Sequence, residues 1–160
     1  MILVCYLIVN IACVLAFFAW PGKRLHALEI LTYWLFGSLL IQNYYAFLHI
    51  NFKLIVINEA LGPALAHFMN RTVMQPLIVV GVLPYYAASG TIGRKAAVLA
   101  CCAGLLTGLE WLADWVGILE HKGWDGWLTA AFWLVALGLT VLCRRTFGRK
   151  LIREVKRNEF

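Results

Sequence analysis

Two carboxylates inside an apolar stretch are the residues of this sequence best suited to chemistry. Glu110 and Asp114 lie four residues apart, so a helix presents both on one face. An ionised carboxylate deep in lipid costs at least a few kcal/mol, so such residues normally face protein or water. The pair predicts a cation or proton site, or an acid–base pair, at a helix interface. The alternative is a pair near the lipid headgroups, since Glu110 lies about 21 Å along its apolar run at 1.5 Å per residue.

Two further polar residues, Glu59 and His67, are candidates for ion or substrate binding together with the carboxylate pair. Imidazole and carboxylate groups are natural ligands for divalent ions. The sequence nevertheless contains no H-x-x-x-H or H-E-x-x-H spacing. We therefore predict neither a metal nor a cofactor. The predicted topology places three of the four histidines and most of the acids on or near the outer side of the membrane: His49, Glu59, His67, Glu110, Asp114, Glu120, His121 and Asp125.

Small residues recur every four positions on the helix that carries the carboxylates. Ala100, Gly104 and Gly108 form a small-xxx-small stripe, which allows a second helix to approach closely in a membrane. The stripe predicts helix packing, either within the chain or with a membrane-protein partner or a second copy.

The composition indicates a helical membrane protein rather than a soluble enzyme. Of the 160 residues, 62% are apolar and 14% are charged, with a mean hydropathy of +0.79. Soluble domains carry about a quarter charged residues and close to half apolar ones. The excess of apolar residues must face lipid, and we predict an all-α bundle in a single domain.

The apolar runs predict five transmembrane helices, because about twenty apolar residues cross a bilayer. The segment 51–71 between the second and third runs is interfacial, re-entrant or a short sixth span. Residues 1–143 form the transmembrane domain and residues 144–160 form a basic tail. The predicted spans are 2–20, 28–49, 73–88, 96–119 and 127–143.

The Lys and Arg residues, which give a net charge of +6, are distributed as the positive-inside rule predicts for a membrane protein. Seven of the fourteen Lys and Arg residues lie in the last seventeen positions, which predicts contact with anionic headgroups rather than with nucleic acid. With five spans and the N-terminus outside, eleven cations fall inside and three outside. We therefore predict a multi-pass protein of the cell membrane, a bacterial plasma membrane, with a cytoplasmic tail.

The chain resembles a group of small, uncharacterised multispanning membrane proteins of endospore-forming Gram-positive bacteria. The resemblance covers roughly the C-terminal half and rests on Pro84, Glu110-Trp111, Gly123-Trp124 and the basic tail. These proteins have no established activity, so the resemblance implies the class of protein alone.

Three functions remain open from the sequence. The favoured one is a non-enzymatic accessory or helix-packing component of the membrane. A second is a small-solute or ion permease that uses the Glu110 and Asp114 carboxylates. A third is a membrane-embedded enzyme acting on lipid or isoprenoid, with acid–base or metal-binding groups drawn from the four candidate polar residues.

Overall fold

Helices dominate the computed structural model, which describes residues 2–19 and 25–148. Within these ranges, three π-helical turns extend or join the α-helices, so that the chain forms five helical rods. The turns are Ala46–Asn51 after α2, Asn70–Met74 between α3 and α4, and Arg144–Gly148 after α6. The α-helices are α1 (Ile2–Ala19), α2 (Ala27–Tyr45), α3 (Leu61–Met69), α4 (Gln75–Ala88), α5 (Ile92–Trp115) and α6 (Gly126–Cys143).

Side-chain caps begin two of these helices. The Leu28 N–H donates to His26 Nδ1 at 3.3 Å, and the Glu29 carboxylate accepts the His26 N–H at 3.0 Å. At the start of α5, the Arg94 N–H donates to Thr91 Oγ1 at 3.4 Å. Caps of this kind satisfy N–H groups that have no partner in the first helical turn.

The third rod is continuous from Leu61 to Ala88, because α3, the π turn and α4 follow one another without a break. The helix that carries the predicted span 73–88 therefore begins at Leu61, inside the segment 51–71. Pro63 lies in the first turn of α3, where a missing N–H costs no intrahelical bond. Pro76 lies in the first turn of α4, directly after the π turn, where the hydrogen-bond register changes.

A short antiparallel ladder closes one end of the bundle. Strand β1 (Ile55–Ile57) pairs with β2 (Leu119–His121), with Ile55 opposite His121 and Ile57 opposite Leu119. Because residue 119 belongs to this strand, the predicted span 96–119 ends too late. The helix starts instead at Ile92 and ends at Trp115. We call this the ladder end of the bundle and the other the opposite end.

Neighbouring rods run in alternating directions. Tyr45 of α2 bonds to Gln75, whereas Tyr33, three turns earlier, packs in a cluster with Leu83, so α2 is antiparallel to the third rod. The guanidinium of Arg144 donates to the Leu83 carbonyl, which puts the end of α6 at the opposite end. With five alternating rods, α1 starts at the ladder end and α6 finishes at the opposite end.

The core has two parts. Near the ladder end, Trp133 and Leu106 are fully buried within the larger cluster, which also contains Ile55, Ala66 and Leu119. Near the opposite end, a smaller cluster joins α2, α4 and α6. Its buried members are Tyr33, Val80, Leu83 and Val141.

Two helices among the described residues are long and apolar enough to cross a membrane. They are Ile92–Trp115, with mean hydropathy 1.7, and Gly126–Phe147, with mean hydropathy 1.9. The apolar segment Leu3–Ala19 is shorter. Because most of the described residues are helical, the all-α prediction is confirmed.

Several predicted features lie outside the described residues. These are Trp20 at the end of the first predicted span, the cations Lys23 and Arg24, and the tail residues 149–160. The first residues of the predicted tail instead continue the last helix as the π turn Arg144–Gly148.

Candidate functional site

The turn after α5 brings a histidine back over the helix that precedes it. Gly117 adopts a left-handed conformation with φ of 77°, and its N–H donates to the Asp114 carbonyl at 2.8 Å. Glycine enters this region without the steric cost that a Cβ imposes. Strand β2 follows at once and pairs with β1, which fixes His121 above the last turns of α5.

His121 bridges the two carboxylates that the sequence singled out. Its Nδ1 lies 2.7 Å from Asp114 Oδ2, and its Nε2 lies 3.3 Å from Glu110 Oε1. The side chain of Glu110 is 0% exposed, that of His121 is 10% exposed and that of Asp114 is 31% exposed. Asp114, His121 and Glu110 therefore form a hydrogen-bonded chain from a partly exposed carboxylate to a fully buried one.

The two carboxylates favour the charged form of the imidazole. The hydrogen bond to Glu110 raises the pKa of His121, and the bond to Asp114 adds to this effect against the opposing influence of burial. When the ring is protonated, both nitrogens donate, one to each carboxylate. Charge-assisted bonds of this kind are stronger than neutral ones.

Hydroxyl groups from two other helices complete the surroundings of Glu110. At the end of α2, Tyr44 donates to Oε1 at 3.1 Å and Tyr45 makes a longer contact to Oε2 at 3.5 Å. Thr129 of α6 lies 3.2 Å from the Tyr44 hydroxyl and accepts the Trp124 indole N–H at 2.9 Å. The buried carboxylate therefore ties α2, α5, α6 and β2 together at the ladder end.

A second buried polar group lies on the other side of Tyr45. The Gln75 amide donates to the Tyr45 hydroxyl at 3.2 Å, and the His67 ring stands edge-on to the Tyr45 ring at 4.7 Å between centroids. His67, Asn70 and Gln75 are all at most 2% exposed. Within the described part of the chain, the His67 nitrogens, Asn70 Oδ1 and Gln75 Oε1 have no hydrogen-bond partner. All three residues lie on or beside the π turn of the third rod.

Asn10 of α1 is a further buried polar residue, and its Nδ2 donates to the Tyr6 carbonyl at 2.8 Å. Helix α1 contacts the π turn that holds Asn70. Asn10 is 2% exposed, and its Oδ1 has no partner among the described residues.

The candidates from the sequence have different outcomes. Glu110 and Asp114 do share one face, since both contact His121. Glu59 is exposed in the loop before α3. His67 is buried in the third rod, where its ring stands edge-on to that of Tyr45, while the contacts of Glu110 and Asp114 are made with His121. Binding of an ion or substrate by Glu59 or His67 stays a prediction.

The small-residue stripe lies outside the bundle of this chain. Ala100, Gly104 and Gly108 are exposed, and a Cβ on either glycine would meet no other atom within 4 Å. The buried face of α5 is instead formed by Cys102, Ala103 and Leu106, among others.

The sequence did not single out Tyr44, Tyr45, Thr129 or His121 as site residues. The one local sign of any of them was that Tyr44 and Tyr45 are adjacent and lie near the end of the second predicted span, 28–49.

Among the described residues, no group of three or more His, Cys, Asp or Glu side chains is suited to hold a metal ion. The geometry shows a hydrogen-bonded cluster centred on Glu110 and His121. Comparison of the chain with models of protein families, with curated proteins and with solved structures finds no match.

Proposed function

We propose that the chain is a membrane protein with five spans that serves as a non-enzymatic packing component of a membrane assembly. The outward faces of its helices support placement in lipid. The most apolar windows of Ile92–Trp115 and Gly126–Phe147 are only 28% and 33% buried within the bundle. The core helix of a soluble protein is mostly buried, whereas a helix in lipid keeps apolar side chains on its outer face.

Large exposed apolar side chains on α1 also support placement in lipid. Ile8, Ile11, Leu15 and Phe18 are all more than half exposed along the length of this helix. In water this surface costs roughly 25 cal/mol for each Å² left unburied. In lipid it has no such cost, and the helix needs no further protein cover.

The charged residues are divided between the two ends of the bundle as a membrane orientation requires. Arg94, Lys95, Arg144 and Arg145 lie at the opposite end, where the described carboxylate is that of Glu29. The ladder end instead carries most of the acids, with two exposed lysines. This division supports a cytoplasmic opposite end. The acids at the ladder end are Glu59, Glu110, Asp114, Glu120 and Asp125, and its lysines are Lys53 and Lys122.

The proposed non-enzymatic role rests on the contacts around the Glu110 carboxylate. Its two oxygens are approached by Tyr44, Tyr45, His121 and Thr129, at distances of 3.1–3.5 Å. A carboxylate surrounded in this way by groups of its own chain acts as a structural tie between helices. The outward stripe Ala100–Gly104–Gly108 then offers a surface for close helix packing in lipid.

Topology is tested by thiol labelling of single-cysteine variants in a cysteine-free background. We expect Lys53→Cys to react with a membrane-impermeant maleimide on intact cells, and Lys95→Cys to react only after permeabilisation. Labelling of both positions on intact cells, or the reverse pattern, excludes the proposed orientation. Recovery of the chain in the soluble fraction without detergent excludes the membrane placement itself.

Helix packing is tested by photo-crosslinking in native membranes. A photoreactive residue is placed at Gly104 or, as a matched control, at Gly138, an exposed glycine of α6 that also has nothing within 4 Å of its Cβ position. We expect adducts from position 104 and few from position 138, and the adduct mass tells a second copy from another protein. Equal adduct patterns at the two positions contradict the packing role.

Proton or cation permeation is a second candidate, favoured by the polar groups that continue inward from the site. Asp114 is open to water, and His121, Glu110 and Tyr45 lead from it to the cluster of His67 and Gln75. Ionisable and polar residues inside membrane proteins commonly form proton or ion paths.

Flux measurements in proteoliposomes separate the two candidates. If the chain is a permease, we expect proteoliposomes that contain Glu110→Gln or Tyr45→Phe to lose the ability to dissipate a pH gradient. Tyr33→Phe is the matched control, because Tyr33 is equally buried on α2 but bonds to Glu29 away from the site. Full flux in the double variant Glu110→Gln/Asp114→Asn ends the permease hypothesis, and the packing role does not depend on it.

A further inference from the structure

An apolar groove of about 820 Å³ runs along the outside of the bundle toward its opposite end. Small residues, among them Gly81, Ala97 and Cys101, leave space between larger side chains such as Phe17 and Leu105. The volume falls within the roughly 300–1,000 Å³ of typical small-molecule sites. The lining comes from α1, α4 and α5 together with the start of the second rod, and it is almost wholly apolar.

Cations border the end of this groove. Arg94 lies three residues before the lining residue Ala97 and on the same face of α5, whereas Lys95 and Arg145 contact Tyr86, which follows the lining residue Tyr85. The Lys95 ammonium lies 5.6 Å from the centre of the Tyr86 ring, and Arg145 donates to the Tyr86 hydroxyl at 3.2 Å. A third cation, Arg94, is exposed beside Lys95.

These cations are not neutralised within the described part of the chain. Its ion pairs use His121 and Lys122, both at the ladder end, as the cationic partners. The one described carboxylate of the opposite end, Glu29, is buried and bonded to His26 and Tyr33. A positive rim therefore adjoins an apolar groove.

We propose that this groove binds an acyl chain of an anionic phospholipid, whose phosphate contacts Arg94, Lys95 and Arg145. The apolar lining suits a hydrocarbon chain and offers few partners to a polar ligand. These cations, which have no acidic partner among the described residues, select a headgroup with net negative charge, since each basic side chain near an anionic surface adds attraction. The inference rests on the membrane placement proposed above, but neither on the packing role nor on permeation.

Competition between two lipids tests the inference on the full chain purified in detergent. The protein is mixed with equal amounts of phosphatidylglycerol and phosphatidylcholine of identical acyl chains, and bound lipid is counted by native mass spectrometry. We expect retention of phosphatidylglycerol, its loss in Ala97→Phe, and normal retention in the matched variant Ala96→Phe. Ala96 is also exposed on α5 but does not line the groove.

Charge variants test the contact with the headgroup. Lys95→Gln and Arg145→Gln should each lower the preference for phosphatidylglycerol about fivefold, the change expected for one basic side chain at an anionic surface. Lys53→Gln and Lys122→Gln, at the ladder end, should leave the preference unchanged. Equal retention of the two lipids by the unaltered chain overturns the proposed headgroup recognition.

A second readout keeps the test decisive if Ala97→Phe fails to fold. Cys101 lines the groove, whereas Cys5 is exposed on α1 outside it. Phosphatidylglycerol should slow alkylation of Cys101 in the unaltered chain and leave that of Cys5 unchanged. Equal rates at Cys101 with and without the lipid overturn occupation of the groove. Because these assays start from detergent-extracted protein, their failure is distinguishable from recovery of the chain in the soluble fraction.

Discussion

Replacing His121 by glutamine removes the cation that joins Glu110 to Asp114 and leaves a neutral side chain of similar length. Hydrogen bonds to charged groups contribute roughly 1.5–3 kcal/mol each, and neutral ones about 1 kcal/mol. His121 makes one such bond to each carboxylate, and its side chain is 10% exposed. We expect His121→Gln to lower the free energy of unfolding by about 2–3 kcal/mol. For a chain of this size, that corresponds to a fall in Tm of roughly 4–12 °C.

The loss should depend on pH in a direction that the structure fixes. The bonds to Glu110 and then to Asp114 raise the pKa of His121 above its ordinary value of 6.5. A group whose pKa is raised by folding contributes its full stabilisation below the unfolded pKa, and the contribution disappears as pH rises through the folded pKa. The difference in Tm between the unaltered chain and His121→Gln should therefore be largest near pH 6 and should shrink at higher pH.

Thermal scans of tryptophan fluorescence in detergent between pH 6 and 9 measure this difference. His49→Gln is the control, because His49 Nδ1 contacts the Ile55 carbonyl and no carboxylate. That variant should keep the pH dependence of the unaltered chain, since His121 remains. A difference between the unaltered chain and His121→Gln that stays constant or grows with pH refutes the charged bridge.

Two further predictions concern the free energy of unfolding, measured by the same thermal scans. Thr129→Val should lower the free energy of unfolding by about 1–3 kcal/mol, because the Tyr44 hydroxyl and the Trp124 indole N–H lose a hydrogen-bond partner. Thr140→Val should cost less, since Thr140 is equally buried on α6 but bonds only to its own helix; an equal loss in the two variants contradicts this account. Lys53 has a φ of 53°, so Lys53→Gly should raise the free energy of unfolding by about 1 kcal/mol. Lys122→Gly, at a residue without positive φ, should not raise it, and a gain there equal to that at position 53 excludes strain as the cause.

The spacing of Glu110 and Asp114 could be interpreted from the sequence because helical periodicity is local. Their partner His121 could not be identified in this way. Its position depends on the left-handed turn at Gly117 and on pairing of β2 with a strand from a distant part of the chain. Tyr44 and Tyr45 reach Glu110 from another helix, which no pattern within α2 encodes.

The start of the third rod and the inward face of α5 could not be predicted, for two different reasons. Gly62-Pro63 belongs to the segment 51–71, whose structure the sequence left open, and a proline in the first turn of a helix removes no intrahelical bond. In α5, apolar residues surround the helix, so periodicity cannot tell which face lies inward. The structure exposes Gly104 and Gly108 and buries other residues of that helix.

The β-ladder also imposes an order on biosynthesis. Strand β1 is made before three of the five rods are complete, and its partner β2 emerges only after α5. The 61 residues between Ile57 and Leu119 must be in position before three residue pairs can close the ladder. Closing so long a loop has an entropic cost that grows with its length. A chain released before residue 119 therefore lacks both the ladder and His121, so the ladder can close only after the first four rods have been made.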